Sequence, residues 1–536
     1  MVKLKSPKRI LNTKFIPVYL FLIISAGLFF LMGYPEVASK GPFSRHSYRQ
    51  GDSYAFALNY YYENNKFMEP SVLCVCEEKG GKTVSEFPVL YYLTAKTWQL
   101  TGVSPLVLRL INLAILFIGL FCLYKLSFEI LRDHFWASTV SLLMFSSPLL
   151  GFYGFNFIPN TPALGFALIA SYYSYKYHTS SKVRFLLLAT ILFTLGALIK
   201  ISSLFAFLAI NAVLFIRNIR QVKQKPRALL LQLASAVFVF ALVSGWYLFA
   251  KDYNYRNLDG LFRQDIIPIW DLSSEHVQRI KDSAYTNTII YFLNPVALIA
   301  LAVFFITSVI FRKKTDQTLL AITTILLAGI ILFILLFFDG MDDHEYFLID
   351  VTVIIPAVTI TFLTTLKNLS PGLYHSASLR FSAFILLLFS LNYNMVMTRV
   401  HYNPHDKLVT RNIPLPNRVM EYWKWAYWDW EIKLKRYEGI VPYIRNLGIR
   451  FEDKIISIPD ESPNRTLTLL HQKGFTDYHY WNNYEGIRRT QRKIELGAKY
   501  LIVQGDENLL REDVAPFTQN LIGEYNGIRI YKLSGE

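Results

Sequence analysis

Phe15-Ile-Pro-Val-Tyr-Leu-Phe-Leu-Ile-Ile-Ser-Ala-Gly-Leu-Phe-Phe-Leu-Met-Gly-Tyr34 carries no charge from end to end. A run of about twenty apolar residues crosses the roughly 30 Å hydrocarbon layer as a helix, so this stretch puts the chain in a membrane. Lys3, Lys5, Lys8 and Arg9 precede it, and Val37-Ala38-Ser39 loosely resembles a cleavage site, both marks of a signal peptide. The apolar run is long for that role and many others follow, so it reads as an uncleaved anchor. Further spans are expected at 105–123, 135–150, 159–173, 183–198, 199–216, 228–250, 289–310, 319–338, 346–366 and 381–397. The fold class is therefore an α-helical polytopic membrane protein of about eleven transmembrane helices. Residues 183–216, interrupted beyond Arg184 at its start only by Lys200, read either as two short spans or as one long helix with a re-entrant end. Composition agrees: 53% of the 536 residues are hydrophobic and 18% charged, too apolar for a soluble chain and too long for one core.

Lys and Arg close to a span resist translocation, so loop charge sets orientation. With a cytoplasmic amino terminus the basic loops 125–132, 176–184, 217–227, 312–314 and 367–380 all fall inside. The net charge of +16 is then a topology signal and not a nucleic-acid surface. The loops 35–104 and 251–288 and the tail after Arg399 become exterior, and chemistry is expected there. Of three cysteines, Cys122 lies in a span; Cys74 and Cys76 share the first exterior loop, either as a strained disulfide or as two thiols, with no zinc spacing around them.

The chain thus divides into a transmembrane part, 1–398, and an exterior soluble domain, 399–536. In the latter, Lys454-Ile-Ile-Ser-Ile458 and Lys499-Tyr-Leu-Ile-Val-Gln504 read as short buried strands. Ser462-Pro463 reads as an N-cap and first-turn proline before a helix over 466–472, with Gly474 past its end. Strand, helix, helix and strand make a small α/β layer. Ahead of it, Tyr422-Trp-Lys-Trp-Ala-Tyr-Trp-Asp-Trp430 fits an interfacial aromatic belt better than a sugar-stacking surface.

Four groups of residues could carry chemistry. Arg45-His-Ser-Tyr-Arg-Gln-Gly-Asp52 clusters titratable side chains directly after a span, where a carboxylate near cations can act as a base. The plainer reading makes Asp52 the N-cap of a helix over 53–64. Ser85-Glu-Phe-Pro-Val-Leu-Tyr-Tyr92 offers Glu86 as a site carboxylate or as a helix-start acid. Arg109 and Lys200 are intramembrane cations at the outer level, where a lipid phosphate would sit, although snorkelling explains either one singly. In Asp339-Gly-Met-Asp-Asp-His-Glu-Tyr346, the residues Asp342, Asp343, His344 and Glu345 could hold a divalent cation or form an ordinary solvated turn.

The pattern His46-x-x-Arg49-Gln50-x-Asp52 followed by Glu86-Phe87-Pro88-Val89 resembles the GT-C membrane glycosyltransferases, in the branch of dolichyl-phosphate-mannose protein mannosyltransferases and the lipid A aminoarabinose transferase. The resemblance extends loosely to Ser462-Pro-Asn and to Gly497-Ala-Lys-Tyr-Leu-Ile-Val503. It implies a bacterial inner-membrane enzyme that moves a sugar from a polyprenyl phosphate to a hydroxyl of a lipid, glycan or protein, with inversion and no obligatory cofactor. Asp52 matches the family's essential acid and Glu86 a second acidic position. His344-Glu-Tyr-Phe347 is similar to a His-x-Tyr-Tyr element, which with His46 and Gln50 makes His344 and Tyr346 substrate-binding candidates. Arg49, Arg109 and Lys200 are candidates for the departing phosphate. Asn160 stands where several relatives carry an acid, which weakens a metal held between loops. A transporter or flippase of lipid-linked sugars shares intramembrane charges but shows repeated halves, which are not evident. A polysaccharide polymerase or ligase leans on a long late exterior loop, and 251–288 is modest.

Overall fold

The computed structural model describes residues 16–75, 80–224, 226–257, 261–262, 266–478 and 486–533. Every segment expected to span is helical. Among the described residues, six helices are long and apolar enough to cross a membrane: Pro105–Leu131, Ile201–Arg220, Pro226–Asn257, Gln317–Leu336, Glu345–Leu369 and Ala377–Tyr402. A seventh span results if His134–Phe145 and Pro148–Gly154, bent by 71° at the break before Pro148, cross as one. Ile16–Leu31, Val183–Ile199 and Pro295–Ile310 are apolar but shorter, and Asn160–Ser180 is 21 residues long but more polar. The protein is a multi-pass integral membrane protein.

The 183–216 stretch resolves into two helices, Val183–Ile199 and Leu204–Arg220, joined through a single turn at Ile201–Ser203. Lys200 takes an extended backbone (φ −150°, ψ 116°), which ends the first helix. Helix Asn160–Ser180 packs against both Val183–Ile199 and Pro105–Leu131. The second contact needs glycine: a Cβ on Gly165 would lie 2.6 Å from the Ile115 carbonyl oxygen, and one on Gly119 would lie 2.8 Å from the Gly165 Cα. Such small residues let membrane helices approach backbone to backbone.

After the single turn Tyr34–Val37, the long helices among the described residues of 35–104 are Ser47–Tyr62 and Val89–Thr101. The first begins six residues earlier than expected, so Asp52 lies inside it and is not its N-cap; His46 occupies that position with a left-handed backbone (φ 54°). Gln50 holds this entry by donating to the Phe43 and Arg45 carbonyls (2.7 and 2.8 Å). The stretch 251–288 is also more ordered than a loop: Pro226–Asn257 continues past Ala250, and Ser274–Ala284 forms a helix.

The C-terminal domain is built on a five-stranded sheet: β1 (Lys454–Ile458), β2 (Gly474–Phe475), β3 (Ala498–Gln504), β4 (Leu521–Tyr525) and β5 (Ile528–Lys532), in the order β2-β1-β3-β5-β4. β1 runs parallel to β2 and β3, and β5 antiparallel to β3 and β4. The final hairpin adds to the expected strand, helix, helix and strand. Its turn, Asn526-Gly527, has positive φ at both residues, the backbone that a two-residue hairpin loop demands. The helix after β1 spans Arg465–Leu470, starting from Asn464 and not Ser462. Asp460 accepts hydrogen bonds from the Ser462 and Thr466 backbone N–H groups, which keeps Ser462-Pro463-Asn464 outside the helix.

The domain and the first loop share one structure. Val75 N donates to Gly474 O (2.8 Å) and Gly474 N to Leu73 O (3.1 Å), so the loop continues the sheet beyond β2. Cys74 is disulfide-bonded, Cys122 is a free buried thiol, and Cys76 lies outside the described residues. The tryptophan-rich segment is the helix Asn417–Ile432, and its 3.6-residue period splits the aromatics: Trp423 and Trp430 are buried, whereas Tyr422, Trp425 and Trp428 are exposed.

Candidate active site

Two carboxylates sit a short distance apart in the fold and in opposite electrostatic states. Glu86, just ahead of helix Val89–Thr101, is buried and accepts at both oxygens from the single Arg49 nitrogen Nη2 (to Oε1 2.7 Å and to Oε2 2.6 Å), and also from Ser85 Oγ and Tyr91 OH. Burial alone raises a carboxyl pKa, but Arg49 and these hydroxyls outweigh it and hold Glu86 below the usual carboxylate range. Glu86 is therefore a fixed anion and Arg49 its counter-ion; Nη1 of Arg49 also donates to Ser53 Oγ (3.0 Å).

Asp52, three residues beyond Arg49 on the same helix, is just as buried but has far less support. Among the described residues its side chain has one hydrogen bond, accepted at Oδ1 from Asn464 Nδ2 (2.9 Å). Burial pushes its carboxyl up to about 6; Arg49 and Asn464 pull against that, and Glu86 and Asp460 add to it. A carboxylate in this range is basic enough to take a proton and still ionised near neutral pH.

Lys200, at the break between Val183–Ile199 and Leu204–Arg220, completes the set. Its ammonium lies 5.1 Å from the Phe347 ring, and the charges it feels are Arg49, Glu86 and Asp350. Among the described residues it has no ion pair or side-chain hydrogen bond. Asp350 was not singled out from the sequence. It is buried, accepts from Ser202 Oγ through Oδ2, and its Oδ1 has no hydrogen-bond partner among the described residues. Arg49 thus acts on both carboxylates, and Lys200 lies within the field of Arg49 and Glu86.

Residues 85–246 match the family model of dolichyl-phosphate-mannose-protein mannosyltransferases. That match contains Glu86 and Lys200 and begins after Asp52. Among solved structures, ArnT from Cupriavidus metallidurans in the apo state aligns over 96% of this chain and 97% of its own, with a TM-score of 0.53 and 11% identity. The same figures hold for ArnT bound to undecaprenyl phosphate. The arabinofuranosyltransferase AftD from Mycobacteria aligns over 97% of this chain and 40% of its own, with a TM-score of 0.53 and 10% identity. The chain has the GT-C glycosyltransferase fold. No curated protein sequence matches it.

Within this GT-C fold the other sequence candidates are placed unequally. Tyr346 is at the centre: its ring meets His46 edge-on (4.8 Å between centroids), and Arg49 and Asp52 are among the charges acting on it. His46 Nε2 bonds Glu345 Oε2 (2.9 Å), and burial lowers its pKa. His344 lies 5.7 Å from the His46 ring and pairs with Asp343. Gln50 is not brought to the site, since both of its amide contacts hold the helix entry. Arg109 is not brought there either. It is buried, donates to the carbonyls of Phe155 (2.7 Å), Lys40 (3.1 Å) and Gly41 (3.4 Å), and lies over the Phe157 ring (4.2 Å). Depth in a span is legible from sequence, but the partner is not, and here backbone carbonyls take the charge.

The acidic turn is dispersed rather than gathered. Asp342 pairs with Arg279 (3.3 Å) and Ser283, Asp343 with His344, and Asp339 with His276 (3.3 Å). Glu345 is a buried hub held by Arg45 Nε (2.7 Å), His46 and Tyr153 OH (2.6 Å). Among the described residues no three His, Cys, Asp or Glu side chains are gathered as a metal site. Asn160, at the start of Asn160–Ser180, donates to the Tyr346 carbonyl (3.3 Å) and so links that helix to the Glu345 turn.

Proposed function

We propose that this protein is an inverting glycosyltransferase that moves a sugar from a polyprenyl-phosphate donor to an acceptor hydroxyl on the exterior, periplasmic face of a bacterial inner membrane. The observation that carries the reading is the divergence of two neighbouring carboxylates, Asp52 pushed up to about 6 and Glu86 held down by Arg49. Environments that drive paired acids apart mark distinct chemical roles. Asp52 is the general base. It takes the proton of the acceptor hydroxyl, the oxygen attacks the anomeric carbon, the bond from that carbon to the phosphate oxygen breaks, and the proton on Asp52 passes to solvent.

The departing polyprenyl phosphate is already a good leaving group, so the work left to the protein is to meet its charge. Arg49, oriented by Glu86, and Lys200, whose ammonium has no carboxylate partner among the described residues, supply two cations, and Tyr346 lies alongside. The chemistry proposed draws on side chains alone and needs no metal. The ArnT structure that holds undecaprenyl phosphate and the mannosyltransferase family match both favour a lipid-phosphate donor. The acceptor is a hydroxyl of a lipid, glycan or protein, and nucleic acid has no part. The positive-inside pattern and a disulfide at Cys74 both favour the exterior face.

The test is reconstitution in liposomes with a radiolabelled polyprenyl-phosphate sugar and envelope extract from a strain lacking the protein. Label should move to a new species with release of polyprenyl phosphate; a label that stays on the prenyl carrier at every acceptor tried refutes the reading. Reporter fusions after Phe311 and after Val400 should read cytoplasmic and exterior respectively, and the reverse at either overturns the sidedness.

A further inference from the structure

We propose that Asn464, from the C-terminal domain, is a positioning residue of the active site: it occupies one oxygen of Asp52 and so presents the other to the acceptor hydroxyl. The proposal deepens the sugar-transfer reading and rests on it for the role of Asp52, while the contact is independent of it. Asn464 is fully buried and joins three parts of the chain. Its Oδ1 accepts the Cys74 backbone N–H (2.9 Å), and its Nδ2 donates to Asp52 Oδ1 (2.9 Å), 412 residues away in sequence. A backbone N–H can only donate, so the carbonyl end of the amide must face Cys74 and the NH2 end must face Asp52. The orientation of the amide is fixed by chemistry. A proton arriving at Asp52 then has Oδ2 as its free landing place.

The loop that carries Asn464 is built to hold still. Asp460 accepts four hydrogen bonds, from the backbone N–H and hydroxyl of Ser462 (3.0 and 2.7 Å) and from those of Thr466 (both 2.7 Å). The loop lies at the carboxyl end of β1, where parallel sheets characteristically present their ligand sites. It also touches the catalytic helix at Gly51, next to Asp52, where a Cβ would lie 3.2 Å from the Arg465 Cα. The C-terminal domain therefore completes the active centre, and its seating sets the state of the base.

Besides Asn464, the groups among the described residues that face Asp52 are Arg49 on its own helix, Glu86 in the first loop, Asp460 and Tyr478 in the C-terminal domain, and Tyr346 in the bundle. Removing an N–H that favours the ionised form raises the protonation midpoint of a carboxyl. The experiment is a pH titration of the Asp52 carboxyl band by difference infrared spectroscopy on the full-length protein in nanodiscs, with D52N as the blank. Asn464→Ala should move the midpoint up by about one pH unit. Asn464→Asp keeps an acceptor for Cys74 N–H and should move it further. In transfer assays N464A should lower kcat about tenfold below the new midpoint and approach the wild-type plateau above it, with the donor KM within about twofold, a pH dependence that loss of folded protein does not produce. If N464D folds and Asp52 titrates at the wild-type midpoint, the proposal is wrong. The infrared readout needs no turnover, so an unshifted midpoint sinks this inference alone, whereas a wild type without transfer activity sinks the sugar-transfer reading alone.

Discussion

Glu86→Gln separates the two carboxylates most sharply. The substitution keeps the size of the side chain but removes the charge on which Arg49 rests. Glu86 accepts two hydrogen bonds from Arg49 and one each from Ser85 and Tyr91, and its side chain is 8% exposed against 19% for Arg49. Removing one partner of a buried pair costs about 3–5 kcal/mol, and the partial opening at Arg49 puts the expected loss near the lower end, about 3 kcal/mol. The second effect falls on Asp52. Glu86 pushes the Asp52 carboxyl up and Arg49 pulls it down, so without Glu86 the balance tips towards Arg49. The acid limb of kcat/KM should move down by about one pH unit, and the base, now weaker, should give a lower plateau. The assay is a full pH profile of sugar transfer with the unfolding midpoint measured in parallel. An acid limb that moves up, or stays in place with stability unchanged, refutes the assignment of Glu86 as the anchor of Arg49.

In the wild type, Asp52 works as the anion, so transfer should fall about tenfold per pH unit below a midpoint near 6 and level off above it; a profile that rises towards acid excludes Asp52 as the base. Lys200→Met should lower kcat/KM for the donor by about 10²-fold with the fold intact by circular dichroism, and an unchanged kcat/KM would remove Lys200 from the phosphate site. Gly51→Val presses a branched side chain onto the Arg465 backbone and should cost about 1–3 kcal/mol, seen as proteolytic cleavage ahead of β1 together with lost activity; full activity with a tightly seated domain would contradict the packing described.

What the sequence made legible is what depends on neighbours along the chain. The spans, the helical first loop, β1 and β3 follow from apolar runs and turn residues, and Arg49, Asp52 and Glu86 announce themselves because one loop holds all three. The break at Lys200 was visible as an interruption, and the structure makes it a helix boundary. Asp52 reads as an N-cap, yet it lies inside Ser47–Tyr62, where Gly51 beside it leaves room for the Arg465 backbone. The Asn526-Gly527 hairpin has its signal in the dipeptide itself. Asn464, Asp350 and the role of Glu345 as a hub had no local signal; each is defined by partners more than a hundred residues away. Arg109 shows the converse, a buried cation whose depth suggested phosphate and whose partners are carbonyls.

Transfer by Asp52→Asn in proteoliposomes, with a radiolabelled polyprenyl-phosphate sugar as donor, tests the central claim most directly. The amide retains the size of the side chain but cannot take the acceptor's proton, so kcat should fall by about 10²–10⁴-fold while binding of the donor lipid stays within about threefold. Transfer at the wild-type rate by D52N would contradict the account.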